Sequence, residues 1–231
     1  MTRSKMKDNL EKSFSEEGQD IILKSIFRNV EIGTYLDIGS FKPEYLSNTY
    51  KLYLAGWRGV CIDGNPSLKR IWAEKRPEDI FINTFITDKK KSVTYSIFPN
   101  EFETMNSIDP QTSLKYSRRF EKNEIRKESR DAEGINEILN KYFNNKELHL
   151  ICCDAEGSEL NIFKAIDFDK FLPGAILVEV KNLNFTSFKK DKLVSLLYKK
   201  GYKLFCKTPL DCFFVHPSKK YFEWIPKEIL N

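Results

Sequence analysis

Apolar positions along the chain alternate between short unbroken runs and stretches spaced three and four residues apart. After Ser15-Glu16-Glu17, a helix-start signal, Ile21, Ile22, Ile26 and Phe27 predict a first helix over Ser15 to about Asn29. Thr34 to Ile38 reads as a strand ended by Gly39. Leu46, Tyr50, Tyr53 and Leu54 mark a second helix stopped by Gly56, and Gly59 to Ile62 a second strand running into Asp63. Asn65 and Pro66 form a cap and first helical residue for a helix whose apolar face is Leu68, Ile71 and Trp72, closed by Pro77.

Ile80 to Ile82 and Val93 to Phe98 are the next extended runs, after which periodicity fails from Pro99 to about Arg130. A helix on Ile135, Ile138, Leu139, Tyr142 and Phe143 restores it, followed by a fully apolar strand from Leu148 to Cys153. Leu160 and Phe163 mark a short helix, Ala175 to Val180 a strand, and Asp191 to Lys200 a helix capped by Gly201. Tyr202 to Cys206 and Cys212 to Val215 close the chain as an antiparallel pair, because the link between them is too short for a crossover. Strands alternating with helices predict an α/β, Rossmann-like doubly wound sheet, mostly parallel, with helices on both faces. A single domain over 1–231 is expected, with an N-terminal helical segment over about 1–30 and an insertion or lid over about 99–131.

At 231 residues and 41% hydrophobic, the chain can bury a core that needs neither disulfide nor metal to fold. Its net charge of +5 is spread thinly, without the dense basic block of a nucleic-acid binder, so no nucleic acid is expected as partner. No uncharged apolar run approaches the ~18 residues of a membrane span, and Met1 to Asp20 is hydrophilic, so a cytoplasmic location is expected. Five cysteines is an odd number, and no C-x-x-C spacing occurs; reduced thiols are expected rather than a disulfide framework or a zinc site.

In a doubly wound sheet the ligand lies beyond the carboxyl ends of the parallel strands, so the residues there carry the chemistry. Here they are acidic: Asp37, Asp63, Asp154 and Glu179. Asp63, 26 positions after Asp37, suits an acid that accepts hydrogen bonds from ribose hydroxyls, or else one that caps the following helix. The turn Asp37-Ile38-Gly39-Ser40 has one glycine and lacks the G-x-G-x-x-G that brings a backbone against a pyrophosphate, which disfavours a dinucleotide. A cofactor with adenosine, no phosphates and a positive group remains compatible, and S-adenosylmethionine answers that description.

Several separated blocks resemble the FkbM-type family of class I S-adenosylmethionine-dependent methyltransferases. They are Ser15 to Asp20, Tyr35 to Gly39, Tyr45 to Thr49, Gly56 to Pro66 and, the most specific, Asp154-Ala155-Glu156-Gly157-Ser158-Glu159. The resemblance implies a seven-stranded sheet whose final pair is antiparallel. It implies that Asp37, Gly39 and Ser40 border the methionine part of the cofactor, that Asp63 holds the ribose with Asn65 shaping its turn, and that Thr84, Phe85 and Ile86 lie near the adenine. Gln19, Ser47 and Asn48 are implied as contacts from neighbouring elements. It also implies methyl transfer to a hydroxyl oxygen, with a sugar or glycan-precursor small molecule as acceptor. Ser158 stands where family members often carry histidine, so no proton-transfer role carries over at that position.

An alcohol acceptor benefits from a base or a metal that raises its alkoxide character. His149 opens its strand and His216 ends an antiparallel one, which places both at the edge away from the ligand. Carboxylates remain: Asp154 first, then Glu156 and Glu179, acting either as a base or as oxygen ligands, Asp154 above all, for a divalent ion such as Mg²⁺. From Leu114 to Arg130, Lys115, Arg118, Arg119, Lys122, Arg126, Lys127 and Arg130 mix with Glu121, Glu124 and Glu128. That is the pattern of a solvated helix face, while Arg118 and Arg119 are the candidates to recognise an acidic or phosphorylated acceptor. Two other readings stand beside the methyltransferase: a non-catalytic cofactor- or partner-binding protein of the same fold, and another nucleotide-binding Rossmann enzyme.

Overall fold

The computed structural model describes residues 11–121, 123–181, 183 and 186–228. The first ten residues of the expected N-terminal segment, Lys122 of the charged run and 229–231 lie outside them. In chain order the strands are β1 (Thr34–Ile38), β2 (Arg58–Ile62), β3 (Ile80–Ile82), β4 (Phe85–Thr87), β5 (Lys91–Ile97), β6 (Arg126–Gly134), β7 (Leu150–Cys153), β8 (Ala175–Glu179), β9 (Lys203–Lys207) and β10 (Asp211–Val215). The α-helices are α1 (Gln19–Ile26), α2 (Tyr50–Leu54), α3 (Lys69–Lys75), α4 (Pro110–Ser117), α5 (Ile135–Phe143), α6 (Glu159–Ala165) and α7 (Lys192–Lys199).

Seven strands form one sheet in the order β3-β2-β1-β7-β8-β10-β9. Neighbours from β3 to β8 run parallel, and β10 is antiparallel to both β8 and β9. This is the seven-stranded, mostly parallel α/β sheet with an antiparallel C-terminal pair that the sequence predicts. Strand residues alternate between its faces, so each strand feeds two cores. Tyr35, Cys61, Cys152 and Leu177 pack with Leu23, Leu52 and Trp72 of α1, α2 and α3. Leu36, Ile62, Ile151 and Ile176 pack with Leu139, Phe163 and Val194 of α5, α6 and α7. All five cysteines are free thiols. Among the described residues no helix is long and apolar enough to cross a membrane.

Two expectations need correction. The first helix begins at Gln19 rather than Ser15: Gly18 is left-handed at φ 83° just before it, and Ser15 reaches it only by its side chain, whose Oγ donates to the Asp20 carboxylate at 2.9 Å and accepts the Asp20 amide at 3.2 Å. The charged stretch is not one solvated helix either. It divides into α4 and β6, and β6 forms the middle of a second sheet, parallel to β4 and antiparallel to β5. Nothing in Arg126-Lys127-Glu128-Ser129-Arg130 favours a strand by propensity. Its state is set by pairing across seven register positions with β5, where the Ser92 and Ser129 hydroxyls lie 2.9 Å apart.

A buried ion pair fixes the loops around β1. Arg76 and Asp79 side chains are wholly buried, with Arg76 Nε donating to Asp79 at 2.7 Å. Asp79 also accepts from the Tyr35 hydroxyl at 2.7 Å and the Gly59 amide at 2.8 Å. Arg76 further donates to Tyr35 Oη at 2.7 Å and Thr49 Oγ1 at 3.1 Å, and Thr49 in turn donates to Asp37 at 2.6 Å. Removing one partner of a buried pair strands the other, which costs about 3 to 5 kcal/mol. Arg76→Met should therefore lower the urea-denaturation free energy by about that amount, and adding Asp79→Leu should recover part of the loss. A loss below about 1 kcal/mol would show that the network does not hold the fold.

Candidate active site

The chain leaves β1 toward β2 and reaches β7 only after the second sheet, so the space beyond the carboxyl ends of these adjacent strands is the switch point of the fold. Their backbones meet there. Asp154 N donates to Ile38 O at 2.9 Å, and Gly39 turns away at φ +75° with its amide on Ile62 O at 2.9 Å. A Cβ on Gly39 would stand 1.7 Å from the Asp154 carbonyl oxygen, so only glycine fits. Beyond this crossing opens a cleft of about 390 Å³.

Of the site residues that the sequence singles out, all but Ser47, Arg118 and Arg119 line this cleft. At one end Asp63 accepts the Phe41 amide at 3.0 Å on one oxygen and the Asn65 amide at 2.8 Å on the other. Its remaining lone pairs face the cleft, beside Phe85 and Ile86. The capping alternative for Asp63 falls to Asn65, whose side chain takes the Ser67 amide at 3.0 Å. Burial pushes both Asp37 and Asp63 up to about 6, and the Thr49 hydroxyl and the two amides respectively oppose the shift. In the floor, Ser40 is 4% exposed and its hydroxyl has no hydrogen-bond partner among the described residues, the condition of a group left for a ligand.

Asp154, Glu156 and Glu179 converge at the other end, with one oxygen of each within 4.8 Å of the others. Glu179 ends β8, and Glu156 is turned in by a left-handed backbone at φ 46°. Desolvation and then its carboxylate neighbours Glu179 and Glu156 hold Asp154 well above the ordinary carboxylate range. Burial likewise pushes Glu179 up to about 7, against a hydrogen bond from Lys181 that lowers it. Lys181 Nζ lies 2.8 Å from Glu179 and 3.2 Å from Glu156. Tyr116 donates to Glu156 at 2.9 Å.

The exceptions have physical reasons. Ser47 points into the ion-pair network, where its hydroxyl accepts from Arg76 at 3.3 Å. Arg118 and Arg119 follow the end of α4 and are exposed, because that helix turns Tyr116 rather than the arginines toward the cleft. Ser158 precedes α6 and does not line the cleft. His149 and His216 sit at the opposite sheet edge, His149 accepting the Thr34 amide at 3.2 Å and His216 packed on Tyr202. Sequence reasoning missed Glu103 to Ile108, Lys181 and Asp211 as cleft residues. The first belong to the aperiodic stretch and carry no signal. Lys181, two positions beyond the end of β8, and Asp211, which begins the reversed β10, both follow from the strand-end rule once β10 is read as antiparallel.

A bare glycine turn, an orphaned serine hydroxyl and an acid with free lone pairs at the end of β2 fit a nucleoside cofactor without phosphates. The fit to Mg²⁺ fails: the trio supplies oxygen donors of the right kind, but an ammonium already holds two of the three. Sheet order and cleft define an α/β protein of the adenosyl-cofactor methyltransferase kind. A family profile described as methyltransferase FkbM domain matches residues 37–204, and the chain belongs to that family of S-adenosylmethionine-dependent methyltransferases. Among curated proteins no sequence match is found. Two solved structures are similar: a precorrin-6y C5,15-methyltransferase from Geobacter metallireducens, with 12% identity, 86% of this chain and 87% of that one covered and a TM-score of 0.44, and a TehB-like SAM-dependent methyltransferase from Corynebacterium glutamicum, with 12% identity, 93% of each chain covered and a TM-score of 0.39.

Two ribose hydroxyls on one carboxylate are worth well over a factor of ten. Asp63→Ala should therefore weaken S-adenosylhomocysteine binding by at least about tenfold in calorimetric titration. Ser47→Ala, which loses contacts to Arg76 and the Tyr50 amide outside the cleft, should leave that affinity unchanged.

Proposed function

We propose that the protein transfers a methyl group to a hydroxyl oxygen of a sugar or glycan-precursor acceptor, with Asp154 as the base that takes the hydroxyl proton. The observation that carries the reading is the state of Asp154. It is the member of the carboxylate trio whose side chain no group among the described residues hydrogen-bonds, it is exposed to the cleft, and desolvation followed by its carboxylate neighbours raises its proton affinity well above that of an ordinary carboxylate. A carboxylate of raised proton affinity is a stronger proton acceptor when an alcohol must lose its proton as it attacks.

When bound, S-adenosylmethionine supplies an electrophilic methyl group and nothing else that the acceptor needs. The chain's own residues do the rest. Asp63 and the Gly39 turn hold the nucleoside end, and Ser40 donates its free hydroxyl to the group that lies along the floor. The residues from Glu103 to Ile108 cover the cleft, tied down by Lys42 to Glu103 at 2.5 Å and by Ser107 Oγ to the Glu156 carbonyl at 2.8 Å. They line the cleft, with Asn106, Ser107 and Tyr116 as polar side chains suited to a polyhydroxyl ring. Desolvation, and after it the charge of Glu179 and Glu156, keeps the proton affinity of Asp154 high.

Asp154→Asn should lower kcat by about 10² to 10⁴ on a hydroxylated sugar acceptor while S-adenosylhomocysteine binding stays intact. In the wild-type protein kcat/KM should rise with pH, because the base acts deprotonated, and the inflection should lie above the ordinary carboxylate range, because desolvation and its carboxylate neighbours hold Asp154 above it. A pH-independent rate, or full activity in Asp154→Asn, would remove the base from this position.

A further inference from the structure

Lys181 lies just past the carboxyl end of β8, and its ammonium sits inside the carboxylate cluster. Nζ is 2.8 Å from Glu179 Oε1, 3.2 Å from Glu156 Oε2 and 3.2 Å from the Tyr116 hydroxyl. An ammonium has three N–H donors, and these three oxygens use all of them. Tyr116 donates onward to the same Glu156 oxygen at 2.9 Å, so ammonium, phenol and carboxylate close a ring. Its partners come from three separate elements: Glu179 from β8, Glu156 from the turn after β7, and Tyr116 from α4.

Three carboxylates this close cannot all ionise without a positive charge among them. Divalent metals commonly supply that charge through oxygen ligands. Here the two inner carboxylates are bonded to an ammonium, which stays protonated because Glu179 and Glu156 both favour its charged form. A divalent ion on the same oxygens would have to share them with a cation in direct contact.

We propose that Lys181 is the resident cation of this site, standing where a divalent metal would otherwise be required and holding Glu156 and Glu179 in place so that Asp154 faces the acceptor alone. The inference rests on the reading of this cluster as the acceptor end of the cleft. Lys181 is accordingly a positioning residue, and methyl transfer needs no divalent ion at the cluster. Removal of the ammonium leaves three uncompensated carboxylates, which is the donor set of a weak hard-cation site.

The test is titration of Mn²⁺, as a reporter for a hard divalent ion, into wild-type protein, Lys181→Ala, Lys181→Arg and the double variant Lys181→Ala with Glu179→Gln, read by calorimetry and by the loss of the free Mn²⁺ spin-resonance signal. Wild type and Lys181→Arg should bind no Mn²⁺ at the cluster up to about 1 mM. Lys181→Ala should gain a site with a dissociation constant of about 0.1 to 1 mM, and the double variant should weaken it at least about tenfold. S-adenosylhomocysteine binding reports that each variant is folded. Should Lys181→Ala lose that binding, Lys181→Gln, which keeps the stem and drops the charge, replaces it. Mn²⁺ bound by wild type and lost in Glu179→Gln would overturn the proposal, as would a folded charge-free variant that acquires no Mn²⁺ site. Neither result depends on acceptor or turnover, so failure to methylate sugars would count against the proposed function and leave this reading intact.

Discussion

Everything in the cleft depends on one close approach, the passage of the Gly39 backbone against the carbonyl of Asp154. Parallel strands β1 and β7 share a ladder up to Ile38 and Cys153, and one residue later their chains must diverge to opposite faces of the sheet. The divergence is possible only because position 39 carries no side chain and takes a left-handed turn. That turn leaves Ser40 buried with a free hydroxyl and lets Asp63 take the Phe41 amide, so the crossing also sets the nucleoside end. The Arg76 and Asp79 pair secures the loop from Pro43 to Thr49 from below, with Arg76 also donating to the Pro43 carbonyl at 3.2 Å. Floor and cleft are thus fixed by unlike means: sterics at the crossing, and buried charge beneath it.

The acids around the cleft are held against their own preference. Asp37, Asp63, Asp154 and Glu179 all bind protons more tightly in the fold than in an unfolded chain. Between the ordinary carboxylate value and the raised one the native state holds more protons, so stability falls as pH rises through that window, from about 4 to about 6 for Asp37 and Asp63. At neutral pH these groups weaken the free protein. A ligand that brings positive charge and hydrogen-bond donors relieves the strain, which makes the cleft electrostatically incomplete without one. Sites that store such strain are where function is expected, and all four acids line one cavity.

The legible part of the molecule was the part built on periodicity. Tyr35 to Gly39, Gly59 to Asp63 and Leu148 to Asp154 are short apolar runs ending in an acid or a glycine, and the strand-end rule alone placed Asp63, Asp154 and Glu179 in the cleft. What stayed hidden was set by tertiary pairing. Arg126 to Arg130 become a strand because β5 lies beside them, not from any preference of their own. Tyr116 lies in the last turn of α4 and Arg118 just past its end, so the register of α4 decided which of them faced the ligand, and an eight-residue helix gives periodicity too little length to show it. Ser47 and Asn48 are neighbours in a loop with no period at all: Asn48 lines the cleft and Ser47 binds Arg76.

The block Asp154-Ala155-Glu156-Gly157-Ser158-Glu159 shows why a spacing of acids can be specific without their sharing a role. Glu159 folds back onto its own turn, its carboxylate taking the Ala155 amide at 2.7 Å and the Gly157 amide at 3.1 Å. Those bonds support the left-handed backbone at Glu156 and Gly157, and at Gly157 a Cβ would meet Thr112 Oγ1 at 2.3 Å. The turn so held swings Glu156 to Lys181 and Tyr116, and that leaves Asp154 as the carboxylate facing open space. One acid builds the turn, one anchors the cation, and one is left free. The division lies in position and not in the kind of acid: Glu156 and Glu159 are the same residue in different roles, because each is defined by what its neighbours force on the backbone rather than by the carboxylate it carries.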